Sequence, residues 1–253
     1  MSATHETKLW EELSWSALQT ELERTQMVIW CFGATEQHGV HLPLSVDTVQ
    51  VVEVARRVAQ KTDVLLLPPM PYGCSAQHGR RFPGTLSLRP QTLMSIVEDV
   101  CSWLYSSGVR KVLFLNGHFG NTPALLGAVT NVQDALPRDL QLKVYGWTDD
   151  PAVQELMMRD VDRGMKYVHA GWGETAAVLA VRPDLVKMEN ATNEPDTYTY
   201  FDYTHEQITR TGAVGRDITG ATAEGGEEML VRATEIVTEL VEGMLRESPP
   251  ADY

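Results

Sequence analysis

Four short apolar runs alternate with segments of helical periodicity along the chain, and this alternation leaves few possible folds. The runs are Met27 to Phe32, Val64 to Leu67, Lys111 to Leu115 and Leu140 to Tyr145. A helix with Ser45 at its N-cap follows the first run, and another is predicted from Pro90 to Ser106. Strands that alternate with helices favour a parallel sheet. We therefore predict an α/β fold, a three-layer α/β/α domain with a mostly parallel central sheet.

Further helices are predicted in the second half of the chain. One has Pro123 in its first turn, and two others run from Glu174 to Val181 and from Glu224 to Leu245. Residues 190–220 are polar, aromatic and irregular, which indicates a long loop that covers a site or makes a subunit contact. No Pro/Ser-rich linker or charge block divides the sequence, so residues 1–253 are predicted to form one domain.

The composition excludes several classes of partner. The 34 acidic and 21 basic residues give a formal net charge of −13, which repels nucleic acids and anionic lipid surfaces. No apolar run approaches the roughly 20 residues that a membrane-spanning helix needs. The three cysteines lack CxxC spacing, so neither a disulfide framework nor a thiolate zinc site is expected. A cytoplasmic protein with a small-molecule substrate is the prediction.

Acidic and imidazole side chains follow the first predicted strand. Glu36 and His38 are two residues apart and point to the same side of an extended segment, while Asp47 lies in the first turn of the next helix. These three side chains can therefore converge. Ligands collect beyond the carboxyl ends of the strands in an open parallel sheet, and His118 lies just beyond the third strand.

A third cluster places His169 in a glycine-containing loop and Glu174 at a helix start. This mixture of oxygen and nitrogen ligands suits zinc, manganese or iron, and a bridging aspartate would let two ions share the site. Such a centre generates hydroxide near neutral pH and polarises a carbonyl group. Each cluster alone is also compatible with a surface pair or a turn, but together they indicate a hydrolytic metal centre.

Signatures of other enzyme classes are missing from the sequence. There is no Walker loop, no GxGxxG motif and no GxSxG elbow. His205 and Glu206 begin a possible zinc-protease motif, but the second histidine of HExxH is absent. Nucleotide hydrolysis, dinucleotide chemistry, serine hydrolysis and ordinary zinc proteolysis therefore lack their usual motifs.

Six segments together carry a resemblance to a known family. They are GATEQHGVHLPLSVDT (33–48), YGCSAQH (72–78), FPGTLSL (82–88), NGHFGN (116–121), HAGWGET (169–175) and GAVG (212–215). With these segments the chain resembles the creatininase family of metal-dependent amidohydrolases, which includes creatininase, formamide deformylases and mycofactocin-type peptidases. The resemblance does not fix the substrate.

The resemblance implies two divalent ions per chain, which would be zinc, manganese or iron. Glu36, Asp47 and His118 would hold one ion, and His38, Asp47 and a further carboxylate would hold the other. Creatininase itself carries a glutamate two residues after the histidine that matches His118, whereas this chain has Gly120. Glu174 is then the natural replacement ligand, or otherwise an acid/base group.

The resemblance also implies roles around the metals. His169 corresponds to a histidine near the scissile bond and is expected to be the general acid/base, with a hydrogen bond that caps the helix of Glu174 as the alternative. His78, Ser75 and Trp172 are expected to contact substrate. The alternatives are a structural hydrogen bond or the orientation of metal ligands for His78, and core or interface packing for Trp172.

The expected function is hydrolysis of a non-peptide C–N bond, in a cyclic amide or a formamide of a small polar substrate, through metal-bound hydroxide. The resemblance further implies a homo-oligomer, commonly a hexamer. Two alternatives use the same centre, namely C–C bond hydrolysis in a cyclic ketone sugar and peptide trimming. A third alternative is a non-catalytic oligomer that binds a metabolite.

Overall fold

A four-stranded parallel sheet forms the centre of the structure, a computed structural model that describes residues 5–162, 164–165, 167–195 and 202–250. The strands are β1 (Met27–Phe32), β2 (Leu65–Leu66), β3 (Lys111–Asn116) and β4 (Gln141–Gly146). Their order in the sheet is β2-β1-β3-β4, and each neighbouring pair is parallel. The predicted parallel α/β architecture is confirmed.

Eight α-helices surround or extend this sheet in the part of the chain that is described. They are α1 (Trp15–Arg24), α2 (Val46–Thr62), α3 (Pro90–Ser106), α4 (Thr122–Ala135), α5 (Pro151–Asp162), α6 (Trp172–Val181), α7 (His205–Ile208) and α8 (Ala223–Arg246). None of these helices is long and apolar enough to cross a membrane. The long loop predicted over residues 190–220 contains α7, and its residues 196–201 lie outside the described residues.

Alternate side chains of β1 enter two different hydrophobic cores. Met27, Ile29 and Cys31 pack with buried residues of α2 and α8 on one face of the sheet. Val28 and Trp30 pack with α3 and α4 on the other face. This period of two produces the three layers, because a strand buried on both faces needs a helix layer on each side. Each fully buried aliphatic or aromatic side chain stabilises the fold by about 1.5–3 kcal/mol.

The register of β1 and β3 determines where functional loops meet. Six residue pairs align the two strands from Met27 opposite Lys111 to Phe32 opposite Asn116. The backbone N–H of Gly117 then donates to the carbonyl of Phe32 at 2.7 Å. Both strands therefore end at the same level, and the segments that follow them leave the sheet side by side.

One local prediction is confirmed in position but not in its side-chain hydrogen bond. Ser45 occupies the residue before α2, but its backbone (φ −101°, ψ 15°) is not extended and its side chain makes no capping hydrogen bond. The first turn of α2 instead contains Asp47, which is buried and faces histidines. A carboxylate near a helix N-terminus is itself favourable, because it interacts with the positive end of the helix dipole.

Candidate metal centre

The loops after β1 and β3 and the first turn of α2 bring a first group of donors together. One ligand atom from each of Glu36, Asp47 and His118 lies within 4.8 Å of the others. The Nε2 of His118 is 3.4 Å from Glu36 Oε2, and its Nδ1 is 3.4 Å from Asp47 Oδ2. All three side chains are buried.

A second group shares Asp47 with the first. It consists of His38, Asp47 and Glu174, again within 4.8 Å of one another. The Nε2 of His38 lies 3.4 Å from Asp47 Oδ1 and 3.7 Å from Glu174 Oε1. Asp47 thus presents one carboxylate oxygen to each group. Two donor groups that share a carboxylate are an arrangement that suits a pair of divalent ions.

Glu174 reaches the second group from the first turn of α6. Its Oε2 accepts a hydrogen bond from the backbone N–H of Ala170, which leaves Oε1 facing His38. The side-chain amide of Gln50, on α2, donates to the carbonyl of Glu174 at 3.0 Å. These contacts fix α6 relative to the helix that carries Asp47.

Three buried atoms of these groups lack a hydrogen-bond partner among the described residues. They are Glu36 Oε2, His38 Nε2 and Asp47 Oδ2. A buried polar group without a partner costs about 1–3 kcal/mol, and more when it is charged. All three atoms are ligand types for zinc, manganese or iron, so the residues present fit a divalent metal pair.

The charges of the donors are coupled. Burial opposes the charged form of Asp47, but the charge of His38 and contacts with His118 outweigh it and hold the pKa of the carboxyl well below its usual value. Burial likewise disfavours a charged His118, yet contact with Asp47 and the charge of Glu36 raise its pKa to about 9. The charged forms of Asp47, His38 and His118 thus stabilise one another, which is the role that a bound cation would take over.

His169 lies beside the second group in a defined tautomer. Its Nε2 is 2.7 Å from the carbonyl oxygen of Gln37, which only accepts, so Nε2 carries the hydrogen and Nδ1 keeps a lone pair. Burial, followed by the positive charges of neighbouring histidines, holds the pKa of His169 well below its usual value. The alternative in which His169 caps the helix of Glu174 is not supported, since this hydrogen bond goes to Gln37.

His78 and His205 complete a cluster of three imidazoles with His169. Ring centroids are separated by 4.3 Å between His78 and His205, and by 4.5 Å between His78 and His169. His78 also reaches the first donor group, with Nε2 at 3.0 Å from Glu36 Oε1. The sequence offers His205 only as the start of an incomplete HExxH motif, and a histidine in an irregular polar segment has no periodicity that would place it beside His78 and His169.

The remaining predicted substrate residues lie in different places. Ser75 is buried with its Oγ 3.4 Å from His118 Nε2. Trp172 is buried in a small cluster with Ala176 and Ala221, and its indole N–H donates to the carbonyl of Gly220 at 3.1 Å. These contacts support the packing alternative for Trp172 rather than a contact with substrate.

Gly120 is packed against the first donor group. A Cβ at this position would overlap the carbonyl oxygen of Cys74 and the Nε2 of His118, and would lie 3.0 Å from Gln77 Nε2. The carbonyl of Cys74 accepts a hydrogen bond from His118 Nε2 at 3.1 Å, and this bond orients the His118 ring. The two atoms that a Cβ at position 120 would overlap are thus the two atoms of this hydrogen bond. A ligating side chain at position 120 would require Cys74 and His118 to move.

We expect Gly120→Ala to displace His118 from Asp47. Overpacking of this kind costs about 1–3 kcal/mol of unfolding free energy, and metal affinity should fall by about 10-fold or more. Thermal unfolding and metal titration measure the two effects. Gly243→Ala is the matched control, because nothing lies within 4 Å of a Cβ there. Unchanged metal affinity in Gly120→Ala would contradict the steric argument.

A family model described as creatinine amidohydrolase matches residues 11–241. The creatinine amidohydrolase of Pseudomonas putida is 30% identical over 254 residues, which cover 94% of this chain and 96% of that protein. A mycofactocin precursor peptide peptidase of Mycolicibacterium smegmatis is 36% identical over 165 residues, or 62% of this chain and 59% of the peptidase.

Solved structures give the same result. A crystal structure of creatinine amidohydrolase superposes with a TM-score of 0.88 at 27% identity, and the match covers 96% of this chain and all of that one. Other creatininase structures, with a TM-score of 0.87 and 25–26% identity, include a Zn-Zn form, an Mn form and a complex with creatine.

Proposed function

Because the chain belongs to the creatininase family of metal-dependent amidohydrolases, we propose that it hydrolyses a non-peptide C–N bond in a small polar molecule, a cyclic amide or a formamide. The observation that carries this proposal is the buried Asp47, which presents one oxygen to each of two donor groups. A surface ion pair or a turn would not gather three carboxylates and two imidazoles away from water, since burying such groups without a cation is costly.

Two divalent ions fit the donors, with Glu36, Asp47 and His118 around one and His38, Asp47 and Glu174 around the other. When bound, such ions supply a water of lowered pKa and a Lewis acid for a carbonyl group. Glu174 is proposed as a ligand rather than an acid/base group, because Ala170 fixes one of its oxygens and the other faces His38.

His169 is proposed as the general acid/base. Its Nδ1 lone pair can accept a proton, and the same atom can return that proton to the nitrogen that leaves the substrate. The carbonyl of Gln37 holds the ring in this tautomer throughout. A neutral imidazole suits the first of these steps, since it must begin without the proton.

A second candidate function is the trimming of a modified peptide by the same centre. The 36% identity with the mycofactocin precursor peptide peptidase favours it, although this match covers 62% of the chain. A non-catalytic oligomer is disfavoured by the unpartnered donor atoms of Glu36, His38 and Asp47. Assembly into a homohexamer and a cytoplasmic location remain predictions.

Glu174→Gln tests the proposed function. Protein loaded with zinc or manganese is assayed on lactams, formamides and short peptides, with metal content per chain measured on the same samples. We expect turnover of a lactam or formamide by the unaltered protein, and about a 100-fold fall with loss of one metal equivalent in the variant, since a lost ligand costs at least as much as a lost outer partner. Glu189→Gln, an exposed site, is the control.

Three results would count against this assignment. Turnover of peptides alone would favour the second candidate function. Two retained equivalents with lost activity would make Glu174 an acid/base group. No turnover of any compound by the metal-loaded protein would favour the non-catalytic oligomer that binds a metabolite.

A further inference from the structure

We propose that His78, His169 and His205 form a third metal site, selective for zinc-like ions, and that an ion bound there inhibits the enzyme. One ring nitrogen of each residue lies within 4.8 Å of the others. The cluster contains no carboxylate, and neither His78 nor His205 belongs to the two donor groups that share Asp47. The inhibition, but not the binding, rests on the proposed function.

Two of the three imidazoles are already oriented as metal ligands are. A metal-bound histidine almost always donates its other ring N–H to a carboxylate or a backbone carbonyl. The Nε2 of His78 lies 3.0 Å from Glu36 Oε1, and the Nε2 of His169 lies 2.7 Å from the Gln37 carbonyl oxygen. Both acceptors leave Nδ1 as the nitrogen with the lone pair.

His205 supplies the third nitrogen at close range. Its Nδ1 lies 3.1 Å from the Nδ1 of His78, and because His78 Nδ1 keeps its lone pair, His205 Nδ1 is the atom that shares its hydrogen with it. The side-chain amide of Gln37 also approaches His78 Nδ1, at 2.9 Å, but this amide has a second acceptor, the carbonyl of Gly212 at 3.0 Å. A divalent ion can therefore replace the shared proton without leaving Gln37 unpaired.

The neighbours of His205 hold it against His78. The carboxylate of Glu206 accepts hydrogen bonds from the backbone N–H groups of Arg80 and Arg81, both at 2.7 Å. Gly79 has φ +74° and lies so close to Glu206 that a Cβ there would overlap it. Thr204 and Gln207 form a capping box that starts α7. The short helix α7 is thus fastened to the loop that carries His78.

The donor chemistry indicates which ions would bind. Three imidazoles with an open fourth position suit zinc, copper or nickel, whereas manganese and magnesium prefer oxygen ligands. His78 and His169 are buried, and His205 is partly exposed, so an ion has a way in from solvent. The site should accept zinc and discriminate against manganese.

Occupation of this site would remove the lone pair that catalysis needs. The Nδ1 of His169 cannot accept a proton while it holds an ion. Zinc beyond two equivalents should therefore lower turnover of a substrate, and manganese beyond two equivalents should not.

Calorimetric titration of protein that already holds two zinc equivalents tests the site. The unaltered protein should bind one further zinc and no further manganese. In His205→Gln the affinity for this third zinc should fall by at least about 100-fold, because a lost ligand costs more than a lost outer partner. His5→Gln, which removes a histidine paired with Asp63, is the matched control and should behave as the unaltered protein.

The outcomes separate this proposal from the proposed function. Binding of only two zinc ions, or a third that persists in His205→Gln, would overturn the site. A third ion that binds without lowering turnover would overturn the inhibition alone. The first two equivalents should depend on Asp47 and the third on His205, so Asp47→Asn shows separately whether the paired donor groups hold metal. Circular dichroism confirms that each variant is folded.

Discussion

Asp47→Asn is expected to release both metal ions and to lower turnover by about 1,000-fold or more. Oδ1 faces His38 and Oδ2 faces His118, and in asparagine one of these oxygens becomes an NH2 group that cannot ligate while the other loses its negative charge, so the affinity of both donor groups for metal falls. A bound ion contributes several kcal/mol of charge stabilisation, and about 1.4 kcal/mol corresponds to a factor of ten in rate. Metal content by mass spectrometry and turnover on the same preparation measure the two effects.

The control for this variant is Asp63→Asn at the other end of the same helix. Asp63 caps α2 with φ 55°, a conformation that asparagine also adopts readily, and it pairs with Lys8 and Arg24 near the surface. This control should keep two equivalents of metal and full turnover. If Asp47→Asn retained both ions, the carboxylate of Asp47 would not be a ligand shared by the two donor groups.

Removal of the metals by a chelator is expected to lower the thermal unfolding midpoint by at least about 8–16 °C, the shift that a single ion accounts for. An ion that binds the folded chain at about 1,000 times its dissociation constant adds about 4 kcal/mol of unfolding free energy. For a chain of this size, 1 kcal/mol shifts the midpoint by about 2–4 °C. The donors come from separate stretches of the chain, so the unfolded chain does not gather them into an equivalent site. Calorimetry of chelated and reconstituted protein measures the shift.

The same experiment on Asp47→Asn shows whether the shift belongs to the paired donor groups. This variant should unfold at nearly the same temperature with and without added metal. A midpoint in the unaltered protein that did not respond to chelation would mean that no ion stabilises the folded state, which would contradict the fit of the donors to a metal pair.

Much of the sheet and its helices could be predicted because their signals are local. The apolar run Met27 to Phe32 is a strand, and the segment from Pro90 to Ser106 is a helix with these bounds. The convergence of Glu36, His38 and His118 also follows from sequence, since parallel strands place their carboxyl ends at one edge of the sheet. Register and loop order were enough to bring these donors together.

The rest depends on contacts between distant segments. His205 reaches His78 because Glu206 binds the backbone of Arg80 and Arg81. These residues are 125 or more positions apart, so no local sequence pattern predicts the contact. Trp172 follows a motif glycine and could equally have lined a pocket, but α6 directs it toward Gly220. Ser45 has the residue type of a helix cap without the extended backbone that a cap requires.

The paired donor groups draw on four separate stretches of chain, at positions 36–38, 47, 118 and 174. No fragment that ends before α6 can supply the complete set, so a polypeptide emerging from the ribosome cannot trap both ions until about two thirds of it has been made. Capture of the second ion therefore has to follow the synthesis of α6, whereas the donors of the first group are complete once residue 118 has been made. A chain truncated within α5 should therefore bind at most one ion, at Glu36, Asp47 and His118, and should gain at most the stabilisation that one ion supplies.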